Sequence, residues 1–176
     1  RQSREGGVTL FWQHAAVAEI LIAGLGSIGR RHLHNLRALG WTDIRCYRTG
    51  TSTLGDAAGV AVPVDVDLDR ALARRPLAVI VANPTARHLS VAAPAAAAGA
   101  HLLIEKPVSH DLHGVAELEA AVAARGLVGL VGFQFRFHPA LRQLRRWLRA
   151  AAIGSIVSAQ AHWGEYLPDM HPWEHF

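Results

Sequence analysis

The feature that most constrains the fold is a short apolar strand pattern followed at once by a glycine-rich turn and a helical stretch. The strand pattern covers residues 19–23, the turn reads Gly24-Leu25-Gly26-Ser27-Ile28-Gly29, and the helix continues to about Leu39. In this setting the first glycine allows a tight turn, the second lets the backbone approach a pyrophosphate, and the third lets the helix pack close to the strand. The amides at the helix start, near Ser27 to Arg30, then point at the anion. The pattern predicts a dinucleotide-binding turn, and the alternative is a glycine-rich turn in some other α/β protein.

Strand and helix patterns alternate along the rest of the chain. Apolar strand patterns cover residues 44–47, 77–81, 101–104 and 127–131, and helical patterns cover 68–75, an alanine-rich stretch to about Gly99, 110–125 and 139–150. Within the alanine-rich stretch we expect a kink or a late helix start at Pro94. A continuous apolar run such as 77–81 is typical of a strand buried on both faces. The alternation predicts an α/β fold with a doubly wound parallel sheet, in which ligands bind at the carboxyl ends of the strands.

The end of the second predicted strand indicates which dinucleotide is bound. An NAD-type site usually has Asp or Glu there, about 20 residues past the glycines. Here the chain reads Tyr47-Arg48-Thr49-Gly50-Thr51-Ser52, without an acid. Because a guanidinium can grip phosphate oxygens as a fork, we predict NADP(H), with Arg48 and Thr49 contacting its 2′-phosphate. The alternative is that Arg48 is one more solvated arginine in an arginine-rich chain.

Lys106 is the only lysine among the eighteen basic residues of the chain. It stands in Glu105-Lys106-Pro107, directly after the predicted strand 101–104. A lysine can lose or share its proton when partly buried, whereas a guanidinium stays charged. Lys106 is therefore a candidate for proton chemistry at the end of a strand, and the alternative is an ordinary surface lysine.

Composition and charge exclude several classes of protein. At 176 residues and 51% hydrophobic content, the chain is long enough for one well-packed domain and too short for two full ones. Its net charge is +4, but the sequence contains no nucleic-acid recognition motif beside that charge. Its densest group of basic residues recurs at helical spacing, which indicates one solvent-exposed face of a helix. That group consists of Arg142, Arg145, Arg146 and Arg149. We therefore expect no nucleic-acid partner.

The single cysteine and the apolar segments indicate where in the cell the protein is expected. Cys46 can form no internal disulfide, so we expect a reducing, cytoplasmic compartment. The stretch 8–23 is interrupted by polar residues and reads as neither a membrane span nor a secretory signal. We expect no membrane partner, and we expect residues 1–17 to be a flexible lead-in.

Taken together, these residues resemble the Gfo/Idh/MocA oxidoreductases, the family of glucose-fructose oxidoreductase and inositol dehydrogenase. The resemblance runs from about Glu19 to the end of the chain. It rests on motifs in the right order, namely Gly24 to Gly29 with Arg30-Arg31-His32, Ala82-Asn83-Pro84-Thr85 with His88, Glu105-Lys106-Pro107, and Val131 to Pro139.

The resemblance implies roles for individual residues. Lys106 lies beside the nicotinamide and helps to position substrate or move its proton, while Glu105 and Pro107 shape the loop. The residues that line the cofactor groove are Asn83, Thr85 and His88. The residues that lie near the nicotinamide are Gln134 and Arg136. Family members often carry Asn at position 134, so Gln134 is a departure from the pattern.

The resemblance also implies the domain organisation. We expect an NAD(P)-binding Rossmann domain at 18–132 and, at 133–176, the start of a truncated C-terminal α/β domain for substrate binding and oligomerisation. A strand at 155–163 opens this second domain, and the loop 164–175 faces a sugar or polyol with its aromatics and carboxylates. Zinc binding in this region is the alternative, but the spacing fits no compact ligand pattern, so we expect no metal. Its ligands would be His162, His171, His175 and Glu165.

The expected function is that of the N-terminal part of an oxidoreductase. It binds NAD(P) and transfers a hydride between the nicotinamide and a hydroxyl-bearing carbon of a sugar, polyol or related substrate, within a homo-oligomeric full-length parent. In the family a further Asp and His complete the proton relay, and no such segment precedes Phe176. The alternative is therefore a non-catalytic NAD(P)-binding module or a truncated fragment without turnover.

Overall fold

A computed structural model describes residues 18–49, 61–164 and 166 of the chain. Several expectations concern residues outside these ranges: the lead-in at 1–17, the hydroxyl residues Thr51 and Ser52, and most of the substrate-facing loop, including Glu165, His171 and His175. The chain divides after Gly132 into two units, Arg1–Gly132 and Phe133–Phe176. That the second unit begins a substrate domain stays a prediction.

The first unit is built on a six-stranded parallel sheet. Its strands are β1 (Ile20–Ala23), β2 (Ile44–Tyr47), β3 (Val64–Asp65), β4 (Ala78–Val81), β5 (His101–Ile104) and β6 (Gly129–Val131). Their order is β3-β2-β1-β4-β5-β6, and every neighbouring pair is parallel. This is the doubly wound order of dinucleotide-binding sheets, so the predicted fold class is confirmed.

Among the residues of this unit that the structure describes, four α-helices connect the strands: α1 (Ser27–Ala38), α2 (Leu68–Ala73), α3 (His88–Ala97) and α4 (Val115–Ala124). Helix α3 begins at His88, well before Pro94, so of the two expected outcomes, a kink or a late helix start, the late start is wrong and the kink stays a prediction. A proline removes one main-chain donor, and α3 nevertheless continues past it with a buried face that includes Ala92, Ala95 and Ala96. None of the helices in the described ranges is both long and apolar enough to cross a membrane.

Helix α4 starts later than the sequence predicts. The predicted start was near His110, but the helix begins at Val115 after Gly114, which adopts a positive φ of 79°. Ahead of it, the Asp111 carboxylate accepts a hydrogen bond of 3.0 Å from the backbone N–H of His113. Such local side-chain bonds offer the backbone an alternative to the helix and delay its first turn.

The core of the first unit lies on both faces of the sheet. Leu21 and Ala23 pack with α2, α3 and α4 on one face, whereas Ile20 and Ile22 pack with α1 on the other. All four residues of β1 are buried, as expected for a central parallel strand covered on both sides. The sheet is therefore a rigid platform, and the loops at the carboxyl ends of its strands are held in place by it.

The second unit contains a 3₁₀ helix, Gln134–Phe137, and helix α5, Pro139–Arg149. The strand predicted at 155–163 is wrong, because these residues form no regular secondary structure. Val157 is 97% exposed, and the described part of this unit contains no strand with which the segment could pair. The alternating pattern is present, but a strand needs a hydrogen-bonding neighbour. The Trp163 ring instead packs edge-on against Phe135, with ring centroids 5.1 Å apart.

Candidate functional site at the carboxyl edge of the sheet

Two glycines of the turn after β1 are required by the packing of the turn itself. Gly24 has a φ of +100°, and a Cβ there would lie 2.6 Å from the Ala82 carbonyl oxygen. A Cβ at Gly29 would lie 2.0 Å from the Gly24 carbonyl oxygen. Both contacts are with backbone atoms, which cannot rotate away. These two glycines therefore hold α1 tightly against the end of β1.

Gly26 is different, because nothing in the described protein requires a glycine there. Its φ is −65°, which any residue can adopt, and a Cβ built on it meets no atom within 4 Å. As the N-cap of α1 it has no side chain that could accept hydrogen bonds from the first amides of the helix, those of exposed Ser27 and half-buried Ile28. Open space in front of helix amides fits the pyrophosphate of a dinucleotide.

The turn lies at the point where the order of the strands reverses. The Gly24 N–H donates to the Tyr47 carbonyl at 2.9 Å, and the Ala82 N–H donates to the Ala23 carbonyl at 2.8 Å. These bonds tie the ends of β1, β2 and β4 together. In doubly wound sheets this switch point forms the crevice for ligands.

The predicted phosphate contacts follow directly after β2. The Arg48 N–H donates to the Asp65 carbonyl at 3.0 Å, while its side chain is half-buried and the Thr49 side chain is exposed. The neighbouring Cys46 is buried, and this burial raises the pKa of its thiol to about 12 although the charges of Arg37 and Arg48 oppose the rise. The thiol is therefore inert at neutral pH.

Asn83 and Thr85 lie between β4 and α3, and His88 is the first residue of α3. His88 is only 1% exposed, and its two ring nitrogens each lie 2.9 Å from a carbonyl oxygen, those of Asn83 and Pro107. It therefore holds the loops after β4 and β5 together from behind the groove. The Asn83 side-chain carbonyl oxygen is buried, and the described residues offer it no donor. A buried polar atom without a partner is expected where a ligand or ordered water completes the site.

Glu105 and Lys106 follow β5 and have different surroundings. The Glu105 carboxylate lies 2.8 Å from His32 Nε2 on α1, and a Cβ on Gly132 would approach that carboxylate to 3.1 Å. Lys106 is exposed, its peptide bond to Pro107 is cis, and no hydrogen bond or ion pair holds its side chain within the described ranges. Glu105 is thus fixed by the protein, whereas Lys106 is available to a ligand.

Reasoning from the sequence missed two of these contacts. His32 pairs with Glu105, and Arg87 donates to the Thr49 hydroxyl at 3.1 Å. Arg87 had no signal of its own, since it is one of seventeen arginines in the sequence, and His32 was marked only as part of the motif Arg30-Arg31-His32. The predicted residues Gln134 and Arg136 lie in the exposed 3₁₀ helix of the second unit, and their role near the nicotinamide stays a prediction.

Comparison with known proteins gives a consistent result. The model of the GFO_IDH_MocA family, described as an oxidoreductase family with an NAD-binding Rossmann fold, matches residues 18–135. An uncharacterized oxidoreductase of Bacillus subtilis is 29% identical over 151 residues, which are 76% of this chain and 40% of that protein. The UDP-N-acetylglucosamine 3-dehydrogenase of Acidithiobacillus ferrooxidans is 31% identical over 71% of this chain and 40% of its own length.

Solved structures agree with these matches. The structure of the Acidithiobacillus ferrooxidans dehydrogenase superposes with a TM-score of 0.64 and 30% identity, over 73% of this chain and 41% of the other. A scyllo-inositol dehydrogenase of Lactobacillus casei, solved with NAD(H) and scyllo-inositol, gives a TM-score of 0.68 and 26% identity over 79% and 43%. The chain thus spans about two fifths of the length of these relatives.

Proposed function

Because this chain belongs to the Gfo/Idh/MocA oxidoreductase family, with its NAD-binding Rossmann fold, we propose that it binds NAD(P) at the carboxyl edge of its sheet. The observation that carries the proposal is the open space at Gly26. No contact within the described protein requires a glycine there, and the first amides of α1, which begin next to it, have no capping side chain. A pyrophosphate in that space accounts for both facts.

We propose further that the chain forms the N-terminal part of an enzyme that oxidises or reduces a hydroxyl-bearing carbon of a sugar, polyol or related substrate. Similar proteins act on such molecules, by their names, including UDP-N-acetylglucosamine and scyllo-inositol. The nicotinamide supplies the hydride chemistry when it is bound, and the protein supplies orientation and electrostatics.

Lys106 is the proposed catalytic residue. Oxidation of an alcohol removes a hydride from carbon and a proton from the hydroxyl, so a group near that oxygen must take up or stabilise the proton. The Lys106 side chain is exposed at the end of β5, on the edge where the cofactor binds. The neighbouring Glu105 is held by His32, so it does not tie up the lysine in an ion pair.

The proposed cofactor preference is NADP(H). No acid follows β2 to accept the ribose hydroxyls of NAD, and Arg48 with Thr49 stands in its place. The arginine is half-buried and its backbone is fixed by the hydrogen bond to Asp65. A guanidinium that extends from a fixed backbone at this position suits a 2′-phosphate.

A fluorescence titration of the purified chain with NADPH and, separately, with NADH tests the proposal. We expect saturable binding that favours NADPH, and we expect Arg48→Ala to weaken NADPH by about tenfold while leaving NADH unchanged. Binding of neither nucleotide would contradict the proposed site. Equal binding of both would contradict only the preference for NADP(H).

Turnover is tested with a panel of polyols and sugar nucleotides, by the absorbance of reduced nicotinamide. Lys106→Arg keeps the positive charge but cannot exchange its proton near neutral pH, so we expect it to bind nucleotide normally and to lose turnover. Binding without turnover in the wild-type chain would instead favour a nucleotide-binding module.

A further inference from the structure

We propose that Arg87 is a second guanidinium for the 2′-phosphate of NADP(H). It reaches the phosphate from the loop after β4, while Arg48 reaches it from the end of β2. This inference rests on the proposed function and deepens it, because it names the residue pair that would distinguish NADP(H) from NAD(H). The predictions from sequence assigned this phosphate to Arg48 and Thr49 alone.

The geometry places the Arg87 side chain at the end of β2. One of its terminal nitrogens donates to the Thr49 Oγ1 at 3.1 Å, and Thr49 lies just past the end of β2. In the sheet β1 separates β2 from β4, so the side chain crosses the carboxyl end of β1 to make this contact. The adenosine ribose of a dinucleotide is bound at the end of the second strand of such folds. Arg87 is therefore beside the position of the 2′-oxygen.

The backbone of Arg87 is fixed although its side chain is exposed. Its N–H donates to the Pro84 carbonyl at 2.8 Å. Its own carbonyl accepts hydrogen bonds from the Asn83 side-chain amide at 3.2 Å and from the Ser90 hydroxyl at 2.9 Å. A side chain that starts from a fixed backbone loses less freedom when it binds a ligand, which favours a specific contact.

The charge of Arg87 has no opposite partner within the described ranges. Its side chain bonds to a neutral hydroxyl, which leaves most of its five N–H donors for an anion. The Asp65 carboxylate, at the end of β3 beside β2, is held by Arg45 and Arg74. It is therefore not available to neutralise the arginines at this edge.

A phosphate monoester carries nearly two negative charges at neutral pH and accepts hydrogen bonds on three oxygens. One guanidinium can donate to two of those oxygens as a fork. A second guanidinium that approaches from another direction can donate to the third oxygen and neutralise the second negative charge. Arg48 and Arg87 approach from the loops on either side of β1, which suits such a grip. The nucleotide without this phosphate gains nothing from the second arginine.

The test compares two adenosine ligands that differ only in the 2′-phosphate, 2′,5′-ADP and 5′-AMP, by calorimetric titration of the purified chain. The variant is Arg87→Gln, and the matched control is Arg125→Gln. Arg125 is also exposed, but it follows α4 at the amino edge of the sheet. We expect Arg87→Gln to weaken 2′,5′-ADP by about tenfold and 5′-AMP by less than about twofold, as for loss of one charge-assisted contact. The control should change neither affinity.

The outcomes separate this inference from the proposed function. If the wild-type chain binds both ligands and Arg87→Gln leaves their ratio unchanged, the inference is overturned while the cofactor site stands. An equal weakening of both ligands would also overturn it, because Arg87 would then contact the adenosine rather than the phosphate. A wild-type chain that binds neither these ligands nor NADPH would overturn both. The melting temperature of each variant shows that the affinities refer to folded protein.

Discussion

Two sets of polar residues lie around the same sheet. The residues of one set pair with each other, whereas the groups of the other set have no partner within the described residues. The first set is Glu19, Arg45, Asp65 and Arg74, and it is closed. Arg74 Nε donates to Glu19 at 2.9 Å, Arg45 Nε donates to Asp65 at 3.3 Å, and Arg74 also binds Asp65. The second set lies at the carboxyl edge and is open: the helix amides behind Gly26, the Asn83 side-chain oxygen and Lys106.

The difference teaches which residues serve the fold and which serve a ligand. Two carboxylates and two guanidiniums that pair with each other balance their charges within the folded chain. Polar groups without partners do not stabilise the fold, so their presence at one edge indicates a ligand that completes them. Stability and nucleotide binding should therefore respond to different substitutions.

The largest expected effect is on stability, from Gly29→Ala. The added Cβ would lie 2.0 Å from the Gly24 carbonyl oxygen, so α1 must move away from the end of β1. We expect the free energy of unfolding to fall by about 3 kcal/mol, at the upper end for overpacking, as measured by urea denaturation. An unchanged urea midpoint would show that the turn can accommodate a Cβ at position 29 and that the close contact with the Gly24 carbonyl is not a constraint.

Gly26→Leu should have the opposite pattern. The side chain enters open space, so we expect the free energy of unfolding to change by about 1 kcal/mol or less, from the altered helix cap. It also blocks the approach to the helix amides, so we expect NADPH binding to weaken by at least about 100-fold, or about 2.7 kcal/mol. Fluorescence titration measures the affinity. A variant that binds like wild type would remove the central argument for the cofactor site.

Asp65→Asn tests the closed set. Burial tends to raise the pKa of this carboxyl, but hydrogen bonds from Arg74 and Arg45 outweigh it and hold the pKa below its usual value. A carboxyl with a lowered folded pKa contributes stability above its unfolded pKa of about 3.9, and that contribution is lost as the pH falls towards the folded value. We expect the variant to lose about 1–3 kcal/mol of unfolding free energy at pH 7. Denaturation at several pH values should show the two proteins converging in acid, with nucleotide affinity at pH 7 unchanged.

The sequence alone predicted those elements of the fold that depend on local chemistry. The strand, turn and helix around Gly24 to Gly29 are encoded within twenty residues, because glycine conformation and apolar periodicity act locally. The two-residue strand β3 was missed, since it is defined by its pairing with β2 rather than by its own pattern. The strand expected at 155–163 had the pattern but no neighbour with which to pair.

The candidate site shows the same limit. Gly26 and Lys106 could be singled out because a motif and a unique residue type marked them. The contacts of His32 with Glu105 and of Arg87 with Thr49 join residues 73 and 38 positions apart. No local pattern specifies such pairs, because the fold alone brings the ends of different strands together.

The smallest expected effect comes from His32, which belongs to neither set completely. It is partly buried, and its Nε2 lies 2.8 Å from the Glu105 carboxylate, as in the closed set. Glu105, however, directly precedes Lys106, which belongs to the open set. Loss of this single pair, which is only partly buried, should change the free energy of unfolding by about 0.5–1 kcal/mol, so a double-mutant cycle of His32→Ala and Glu105→Gln is the appropriate measurement. His32→Gln can still donate to the carboxylate and should retain most of the coupling. If the two single effects add without coupling, the pair stabilises nothing, and Glu105 would then belong with the open groups of the carboxyl edge.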